Sequence, residues 1–378
     1  KTEELEIQNI EIHSIQENSK ETGLLKPLSF DDFGLIVFTS GTTGLPKGVL
    51  QTLGSQIENA RLTSQRLSVE NVDRILINTP PYFTSGISHF LTFFLHDASF
   101  VGKKSFYFGK DILDDLESFE CNCFGGAPTH VIRVANAKAE KKPSIKFWMS
   151  SGDFLPYDAI EKFKASFPEV KLYNVYGLTE VSGRFCILPD EKLCEKKGSV
   201  GYPLEGMSIN IVEEESGMPA SSPYIEGEVY VKGPLLFDSY YNDMEKTNQA
   251  LTEYGYRTGD YGYLDADGYL FLKGRKDDIF KRGAEKISSN LIKSKLFEMG
   301  LFEDVAVIAI EDFLMGKSPV AFVVKKSEVD LSRRELLNLM KKQLPPSHIP
   351  VKVIELEKIP RTGSGKALIH ELLEKMKK

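Results

Sequence analysis

The chain has 378 residues, enough for more than one domain, and its 41% hydrophobic residues supply a sizeable core without disulfide bonds. Its net charge of −7 argues against non-specific nucleic-acid binding, which needs lysine and arginine in excess on one face. The four cysteines lack zinc-ligand spacing, and no stretch reaches the roughly 18 apolar residues of a membrane span. We therefore expect a cytoplasmic protein without membrane insertion and without a nucleic-acid partner.

Up to about residue 180, short apolar runs alternate with helical patterns. Strands are predicted at residues 34–39, 73–79, 146–150 and 170–174. Helices are predicted at residues 49–67, 87–96 and 158–167. This alternation favours a layered α/β domain built on a mostly parallel sheet.

The pattern changes in the remaining part of the chain. Short alternating runs, such as residues 227–232 and 268–273, predict a small β-rich subdomain at about 181–276. The following segment has an α+β pattern, with helices at 289–299, 332–343 and 367–377 and strands at 305–310 and 320–324. We therefore predict a large domain at 1–276 and a small C-terminal domain at 277–378.

Charge is distributed unevenly between the two predicted domains. The segment from Asp278 to Lys378 contains 19 basic and 14 acidic residues, a net charge of +5 in an acidic chain. The simpler interpretation is a solvated surface without functional meaning. The alternative is a basic domain that contacts an acidic partner.

Residues 39–48, TSGTTGLPKG, form a Gly/Ser/Thr-rich loop between a predicted strand and a predicted helix. Backbone N–H groups of such a loop can converge on an anion, its hydroxyls add donors, and Lys47 adds a positive charge. The loop is not a Walker motif, because no Gly-Lys-Ser/Thr stands at the required spacing. It predicts a phosphate-binding site, and the alternative is a flexible surface loop.

Three further segments carry groups suited to a nucleotide. Residues 173–180, YNVYGLTE, offer an aromatic ring, a glycine turn, a hydroxyl and a carboxylate that suits Mg²⁺. Asp260 could accept hydrogen bonds from ribose hydroxyls, and Arg275 could donate to the sugar or to phosphate. Residues 360–366, PRTGSGK, present Lys366 on a glycine-rich turn. Each segment alone has a simple alternative, a turn or a surface ion pair.

Together, these segments resemble the adenylate-forming superfamily of AMP-binding enzymes, which contains acyl-CoA synthetases, peptide-synthetase adenylation domains and beetle luciferases. The matches follow the family's order, at residues 39–48, 176–180, 227–228, 256–260, 274–275 with 281–283, and 360–366. The resemblance implies a layered α/β large domain with a small β-rich subdomain, followed by a mobile α+β C-terminal domain.

The resemblance also implies a nucleotide site. The ATP phosphates would be held by Thr39, Ser40, Gly41, Thr42, Thr43, Gly44 and Lys47. The adenine slot would consist of Gly152, Asp153, Phe154, Asn174, Tyr176 and Gly177, with the Tyr176 ring stacked on the base. Thr179 would touch the α-phosphate, Glu180 would coordinate Mg²⁺, and Asp260 with Arg275 would bind the ribose.

Three positions are implied in catalysis and domain motion. Lys366 would bridge the substrate carboxylate and the α-phosphate, where negative charge accumulates in the transition state. Asp277 would be the hinge about which the C-terminal domain swings. Gly283 would then line the tunnel of the incoming thiol.

The chain departs from the family in two places. Only 38 residues precede Thr39, whereas family members carry a much longer segment, so an N-terminal subdomain is expected to be absent or reduced. Phe83 stands where amino-acid-activating relatives place an aspartate for the α-ammonium group. An amino acid would bury its cation unpaired, so we expect an aryl or acyl acid instead. The expected pocket contains Phe83, Ser85, Gly125, Gly126 and Pro128, with His89 as a helix residue.

The implied activity is that of an AMP-forming acid–thiol ligase. It would convert a carboxylic acid to an acyl-adenylate with release of pyrophosphate, then pass the acyl group to CoA or to the phosphopantetheine arm of an acyl or aryl carrier protein. ATP and Mg²⁺ are the expected cofactors, and Lys366, Glu180 and Thr179 the expected catalytic residues. The alternatives are an adenylation-only or adenylate-oxidising relative, and a non-catalytic nucleotide-binding module.

Overall fold

A computed structural model describes the chain at residues 33–39, 47–103, 108–137, 142–283, 285–326, 329, 331–361 and 367–377. The strands are β1 Phe33–Thr39, β2 Lys47–Thr52, β3 Arg74–Ile77, β4 Ser99–Gly102, β5 Cys123–Gly126, β6 Phe147–Ser151, β7 Lys171–Tyr176, β8 Cys186–Leu188, β9 Tyr202–Pro203, β10 Ser208–Val212, β11 Gly227–Lys232, β12 Ser239–Tyr240, β13 Leu251–Thr252, β14 Gly255–Leu264, β15 Leu270–Arg275, β16 Ile279–Arg282, β17 Glu285–Ser288, β18 Phe302–Asp312, β19 Gly316–Lys325 and β20 Lys352–Glu355. The α-helices are α1 Leu53–Leu67, α2 Thr84–Phe94, α3 Gly109–Ser118, α4 Pro128–Ala135, α5 Tyr157–Ser166, α6 Met244–Ala250, α7 Ser289–Glu298, α8 Arg333–Gln343 and α9 Ile369–Lys377.

The largest sheet has seven strands in the order β4-β3-β5-β6-β7-β8-β9. Its first five strands are parallel, whereas β8 and β9 are antiparallel additions at one side. Helices α1 and α2 contribute to the hydrophobic cluster on one face, and α3, α4 and α5 to the cluster on the other. The predicted layered α/β architecture is therefore confirmed.

Strand β6 explains why both faces of this sheet are covered. Phe147 and Met149 pack into one hydrophobic cluster, and Trp148 between them packs into the other. Successive side chains of a strand point to opposite faces, so a continuous apolar run needs a layer of helices on each side. The helices cover the two faces, and the carboxyl ends of the parallel strands β6 and β7 lie side by side at one edge of the sheet.

The predicted helix at residues 49–67 is wrong at its beginning. Residues 47–52 form β2, which pairs with β1 in an antiparallel hairpin, with Val49 opposite Val37. The helix begins only at Leu53, because the Thr52 hydroxyl accepts a hydrogen bond of 3.1 Å from the Ser55 amide and caps it. The apolar residues of β2 fit either structure, and tertiary pairing selected the strand.

The β-rich part forms a five-stranded antiparallel sheet of β10, β11, β13, β14 and β15. A separate three-stranded sheet joins β12 to the hairpin of β1 and β2. The predicted strand at 227–232 is β11, and the one at 268–273 is shifted to β15. These sheets place Asp260, in the middle of β14, and Arg275, at the end of β15, beside Tyr176 at the carboxyl end of β7.

The C-terminal part has its own sheet, β17-β16-β19-β18, with β20 parallel to β19. Helices α7 and α8 cover one face of this sheet, and α9 packs on the other. Residues 276–278 form a 3₁₀ turn between β15 and β16. The domain boundary at Asp277 stays a prediction. In the described ranges, no helix combines the length and apolar character needed to cross a bilayer.

Phe163 offers a test of the core between α5 and the largest sheet. Its ring is fully buried, 5.3 Å from the ring of Trp148 between centroids. Phe163→Ala leaves a cavity and should lower the free energy of unfolding by about 3–5 kcal/mol. The fluorescence of Trp148, the chain's one tryptophan, reports this in a urea titration. Phe313→Ala removes a fully exposed ring and should leave the midpoint unchanged. Equal midpoints for both variants would contradict this packing.

Candidate functional site

The predicted nucleotide residues gather at the carboxyl edge of the largest sheet. Residues 152–154 follow β6, and residues 177–180 follow β7. The two strands are hydrogen-bonded neighbours, with Ser151 opposite Val175. Ligands of open α/β sheets bind outside the carboxyl ends of the strands, and the sequence placed its motifs at such an edge.

Tyr176, Asp260 and Arg275 form one hydrogen-bonded group. The Tyr176 hydroxyl donates to Asp260 Oδ2, and Arg275 Nε lies 3.1 Å from Asp260 Oδ1. Asp260 on β14 and Arg275 on β15 are direct partners in the antiparallel register. Burial, followed by the charge of Asp260, raises the pKa of Tyr176 well above its ordinary value, so the hydroxyl remains a donor. The residues predicted for adenine and ribose therefore lie together.

Glu180 is held by a tyrosine that the sequence did not indicate. The Tyr240 hydroxyl donates to Glu180 Oε1 over 2.9 Å, and the Lys47 ammonium lies 4.9 Å from the centroid of the Tyr240 ring. Burial and then the charge of Glu180 raise the pKa of Tyr240, which keeps its hydroxyl protonated. Tyr240 thus connects the end of the predicted phosphate loop to the predicted metal ligand.

The surroundings of Glu180 fit Mg²⁺. Its carboxylate is a hard oxygen ligand and is oriented by Tyr240. Among the residues described, no group of three or more His, Cys, Asp and Glu side chains is placed to hold a metal. Mg²⁺ is usually bound through one or two carboxylates together with substrate phosphates, so a single acid linked through Tyr240 to Lys47, at the end of the predicted phosphate loop, suits it.

Thr179 is fixed from two sides. Its hydroxyl accepts a hydrogen bond of 3.0 Å from the Thr84 hydroxyl at the beginning of α2, and its carbonyl accepts one from the Gln51 amide on β2. The turn before it needs Gly177, because a Cβ there would lie 1.7 Å from the Gly183 carbonyl oxygen. The position of Thr179 therefore depends on β2, α2 and β7 together.

Asp153 makes an ion pair that reaches the C-terminal part. Asp153 Oδ2 accepts a hydrogen bond of 2.6 Å from Lys293 Nζ on α7, and Arg361 Nη1 lies 3.8 Å away. Burial alone would raise the pKa of Asp153, but the charge and hydrogen bond of Lys293 hold it below its ordinary value. Arg361 also pairs with Asp304 at 2.6 Å. The sequence had placed Asp153 only in the adenine slot.

The remaining adenine-slot residues lie on the same edge. Gly152 has a φ of +94°, a left-handed conformation that favours glycine. The Phe154 amide donates to Asp153 Oδ1 over 2.8 Å. Asn174 is buried in β7, and its amide donates to the Ser199 carbonyl over 3.0 Å.

Two predicted loops lie partly outside the described residues. The structure does not describe Ser40, Gly41, Thr42, Thr43 and Gly44 of the predicted phosphate loop. The flanking Thr39 and Lys47 are paired across the hairpin of β1 and β2. Lys366 also lies outside the described residues. The residues on either side of its loop, Arg361 and Ala367, form an antiparallel bridge.

The expected acid pocket is carried by three neighbouring elements. Phe83 precedes α2 and Ser85 lies in its first turn, Gly125 and Gly126 end β5, and Pro128 begins α4. A Cβ on Gly125 would lie 2.2 Å from His89 Cε1, and one on Gly126 would lie 2.4 Å from His130 Nδ1. The two glycines therefore allow two imidazole rings to cover the end of β5.

The predicted hinge and tunnel residues lie on the connections of the C-terminal sheet. Asp277 is in the turn between β15 and β16. Gly283 is in the turn between β16 and β17, with a φ of +61°, and its amide donates to the Met315 carbonyl over 2.9 Å.

Several contacts of the site were not predicted from the sequence. They involve Gln51, Thr84, Tyr240, Lys293 and Arg361, which stand far along the chain from their partners. Only Arg361 could have been found, since it belongs to the PRTGSGK segment. A lone tyrosine or threonine carries no pattern that distinguishes it from a core or surface residue.

Two family models match the chain. The model of the AMP-binding enzyme matches residues 3–241, and that of the AMP-binding enzyme C-terminal domain matches residues 292–366. A 2-succinylbenzoate–CoA ligase from Bacillus velezensis is 31% identical over 360 residues, which cover 94% of this chain and 72% of that enzyme.

Solved structures agree with these matches. The o-succinylbenzoate coenzyme A synthetase of Bacillus subtilis, in complex with its acyl-adenylate intermediate OSB-AMP, has a TM-score of 0.80 and 30% identity, covering 91% of this chain and 69% of that one. The same enzyme with ATP and magnesium has a TM-score of 0.79 and 30% identity, covering 91% and 70% of the two chains.

Asp260 offers a test of the nucleotide site. Asp260→Asn removes the charge that pairs with Arg275, and an amide is a poorer acceptor for two donors. We expect the Kd for ATP to rise roughly tenfold or more, since hydrogen bonds to charged groups contribute about 1.5–3 kcal/mol. Isothermal titration calorimetry measures it. Asp238→Asn, at an exposed position, is the matched control, and equal affinities for the two variants would refute the assignment.

Proposed function

Because this chain belongs to the family of AMP-binding enzymes, we propose that it activates a carboxylic acid with ATP and transfers the acyl group to a thiol. In the first half-reaction, a carboxylate oxygen bonds to the α-phosphorus and pyrophosphate leaves. In the second, the thiol sulfur bonds to the acyl carbon, AMP leaves with the bonding electron pair, and the thiol proton passes to solvent. The chain is thus an AMP-forming acid–thiol ligase.

The contact between Arg361 and Asp153 carries this proposal. Arg361 stands directly before the loop of Lys366, and Asp153 stands directly after β6, beside the end of β7. The base of the lysine loop is therefore docked at the edge where the nucleotide residues gather. A non-catalytic nucleotide-binding module has no need of a lysine loop at that edge, whereas activation of an acid needs a cation there.

The contacts of the site residues support the following roles at the nucleotide. Tyr176, Asp260 and Arg275 would hold adenine and ribose, and Thr179 would contact the α-phosphate. Glu180, oriented by Tyr240, holds Mg²⁺, which neutralises charge on the phosphates when bound. Lys366 adds a second positive charge between the acid and the α-phosphate.

The two half-reactions need different positions of the C-terminal part. Lys366 serves the first, and it must leave before a thiol reaches the adenylate. Residues 1–276 and 277–378 are then the two moving domains, Asp277 is the hinge, and Gly283 lines the path of the thiol. The ion pair of Asp153 with Lys293 stabilises the position in which the acid is activated.

The acid and its acceptor are proposed on two grounds. Phe83 offers no charge to an α-ammonium group, which disfavours amino acids, and the named relatives act on 2-succinylbenzoate with CoA. We therefore assign an aryl or acyl acid as substrate and CoA as the first acceptor to test. An acidic carrier protein would also suit the net charge of +5 between Asp278 and Lys378.

A screen of acids tests this function directly. Release of pyrophosphate is measured over aryl, fatty and amino acids, with and without CoA, and AMP and acyl-CoA are measured in parallel. We expect release with aryl or acyl acids, and acyl-CoA only when CoA is present. Lys366→Ala should slow pyrophosphate exchange about 10²- to 10³-fold while ATP still binds, because a positioned cation is lost. Lys358→Ala, an exposed lysine, should retain exchange, and equal rates for the two variants would refute the role.

Asp153→Asn tests the position of the C-terminal part. It leaves Lys293 and Arg361 without their shared charge, so we expect pyrophosphate exchange to slow about tenfold, more than the transfer of a preformed acyl-adenylate to CoA. Single-turnover assays of each half-reaction measure the two effects. Asp158→Asn, whose partner Lys162 lies in the same helix, is the control. A parallel loss in both half-reactions would contradict this assignment.

A further inference from the structure

Arg184 is a buried cation whose hydrogen-bond partners are neutral. It is 3% exposed, and its guanidinium donates to Thr92 Oγ1 over 3.2 Å and to His89 Nδ1 over 2.8 Å. No carboxylate pairs with it in the part of the chain that the structure describes. Burial lowers the pKa of Arg184 to about 9, which leaves it charged at neutral pH. A buried charge without a counter-ion is costly unless a ligand supplies one.

His89 adds an unsatisfied donor beside this cation. Arginine has only donors, so His89 Nδ1 must accept from it, and the hydrogen of the neutral ring is then on Nε2. Burial and the charge of Arg184 lower the pKa of His89, which keeps the ring neutral. Nε2 is buried and has no hydrogen-bond partner among the described residues. An acceptor with negative charge would satisfy both groups.

The Cε1 edge of His89, between the two ring nitrogens, lies over Gly125. A Cβ on Gly125 would lie 2.2 Å from Cε1 and 2.8 Å from both Nδ1 and Nε2, so only a glycine lets the ring come this close to the end of β5. Gly125 belongs to the expected acid pocket. The cation and the donor therefore lie at that pocket.

Helix α2 sets the distance from this pair to the reacting atoms. Thr84, at its beginning, bonds to Thr179, and His89 and Thr92 follow five and eight residues later. With about 1.5 Å of rise per residue, the pair lies roughly 8–12 Å along the helix from Thr84. Thr179 marks the α-phosphate in the proposed function, so the pair lies at the far end of the acid.

We propose that Arg184 and the Nε2–H of His89 bind a second carboxylate of the acid substrate. The inference rests on the proposed function and narrows its substrate to a dicarboxylic acid. The carboxylate being activated lies near Thr179, and the other accepts a hydrogen bond from His89 and neutralises Arg184. An extended acid with about four to six atoms between its carboxyl carbons separates them by roughly 6–9 Å, because each bond advances the chain by about 1.25 Å. Hydrogen bonds at the two carboxylates cover the remaining distance.

Matched acids test the second-carboxylate site. The substrate 2-succinylbenzoate is compared with 4-oxo-4-phenylbutanoate, which lacks the ring carboxylate, and adipate with hexanoate. We expect kcat/KM for the better diacid to exceed that of its single-carboxylate partner on the order of 10²-fold, because a buried charge is left unpaired without it. Equal use of both partners in each pair refutes the site and leaves the proposed function standing. Failure of every acid to release pyrophosphate refutes both.

Variants separate ligand binding from a structural role. Arg184→Gln should lower kcat/KM for the diacid about 10²-fold, mainly through KM, and leave the single-carboxylate partner unchanged or improved. Equal losses for both acids assign Arg184 a purely structural role and overturn the proposal. If Arg184→Gln does not fold, His89→Phe serves as the second test. It removes the Nε2 donor, keeps an aromatic ring, and should lower kcat/KM for the diacid more than for its single-carboxylate partner. Arg61→Gln, on the exposed side of α1, is the matched control.

Discussion

The ion pair of Asp153 with Lys293 and Arg361 joins the two parts of the molecule at the edge where the proposed chemistry takes place. Its members lie in the segment after β6, in α7 and in the segment before Lys366, so one carboxylate joins three parts of the chain. The three side chains are mostly shielded from water, so removal of one leaves a buried charge without its partner. Yet desolvation offsets much of its Coulomb energy. An interface held in this way can form and separate, as two successive half-reactions require.

Two tyrosines orient the carboxylates of the site. Tyr176 donates to Asp260, and Tyr240 donates to Glu180. Burial and the neighbouring charges raise the pKa values of both hydroxyls, so both remain hydrogen-bond donors. The carboxylates are therefore positioned by neutral groups that leave their negative charge in place for ribose and Mg²⁺.

In the proposed function, helix α2 links the reacting end of the acid pocket to its far end. Its first residue, Thr84, bonds to Thr179, and its later residues His89 and Thr92 contact Arg184. The spacing between catalysis and substrate selection is thus set by the rise of one helix. In that function, a change at His89 or Thr92 would alter the selected acid, whereas a change at Thr84 would also reach Thr179 at the nucleotide site.

From the sequence alone we could identify the motifs, predict the order of most elements, and predict that the site lies where the strands of the parallel sheet end. The strand ends that carry Thr179 and Glu180 could be predicted because a buried parallel strand is a continuous apolar run followed by a turn. Helix beginnings such as Ser332 were readable for a similar reason, since capping is local. Only the tertiary structure decided that residues 49–52 form a strand, that Lys293 and Arg361 dock on Asp153, that Tyr240 holds Glu180, and that Arg184 meets His89. These contacts join residues far apart in the chain, and no periodic pattern records them, because each is selected by the packing of whole elements.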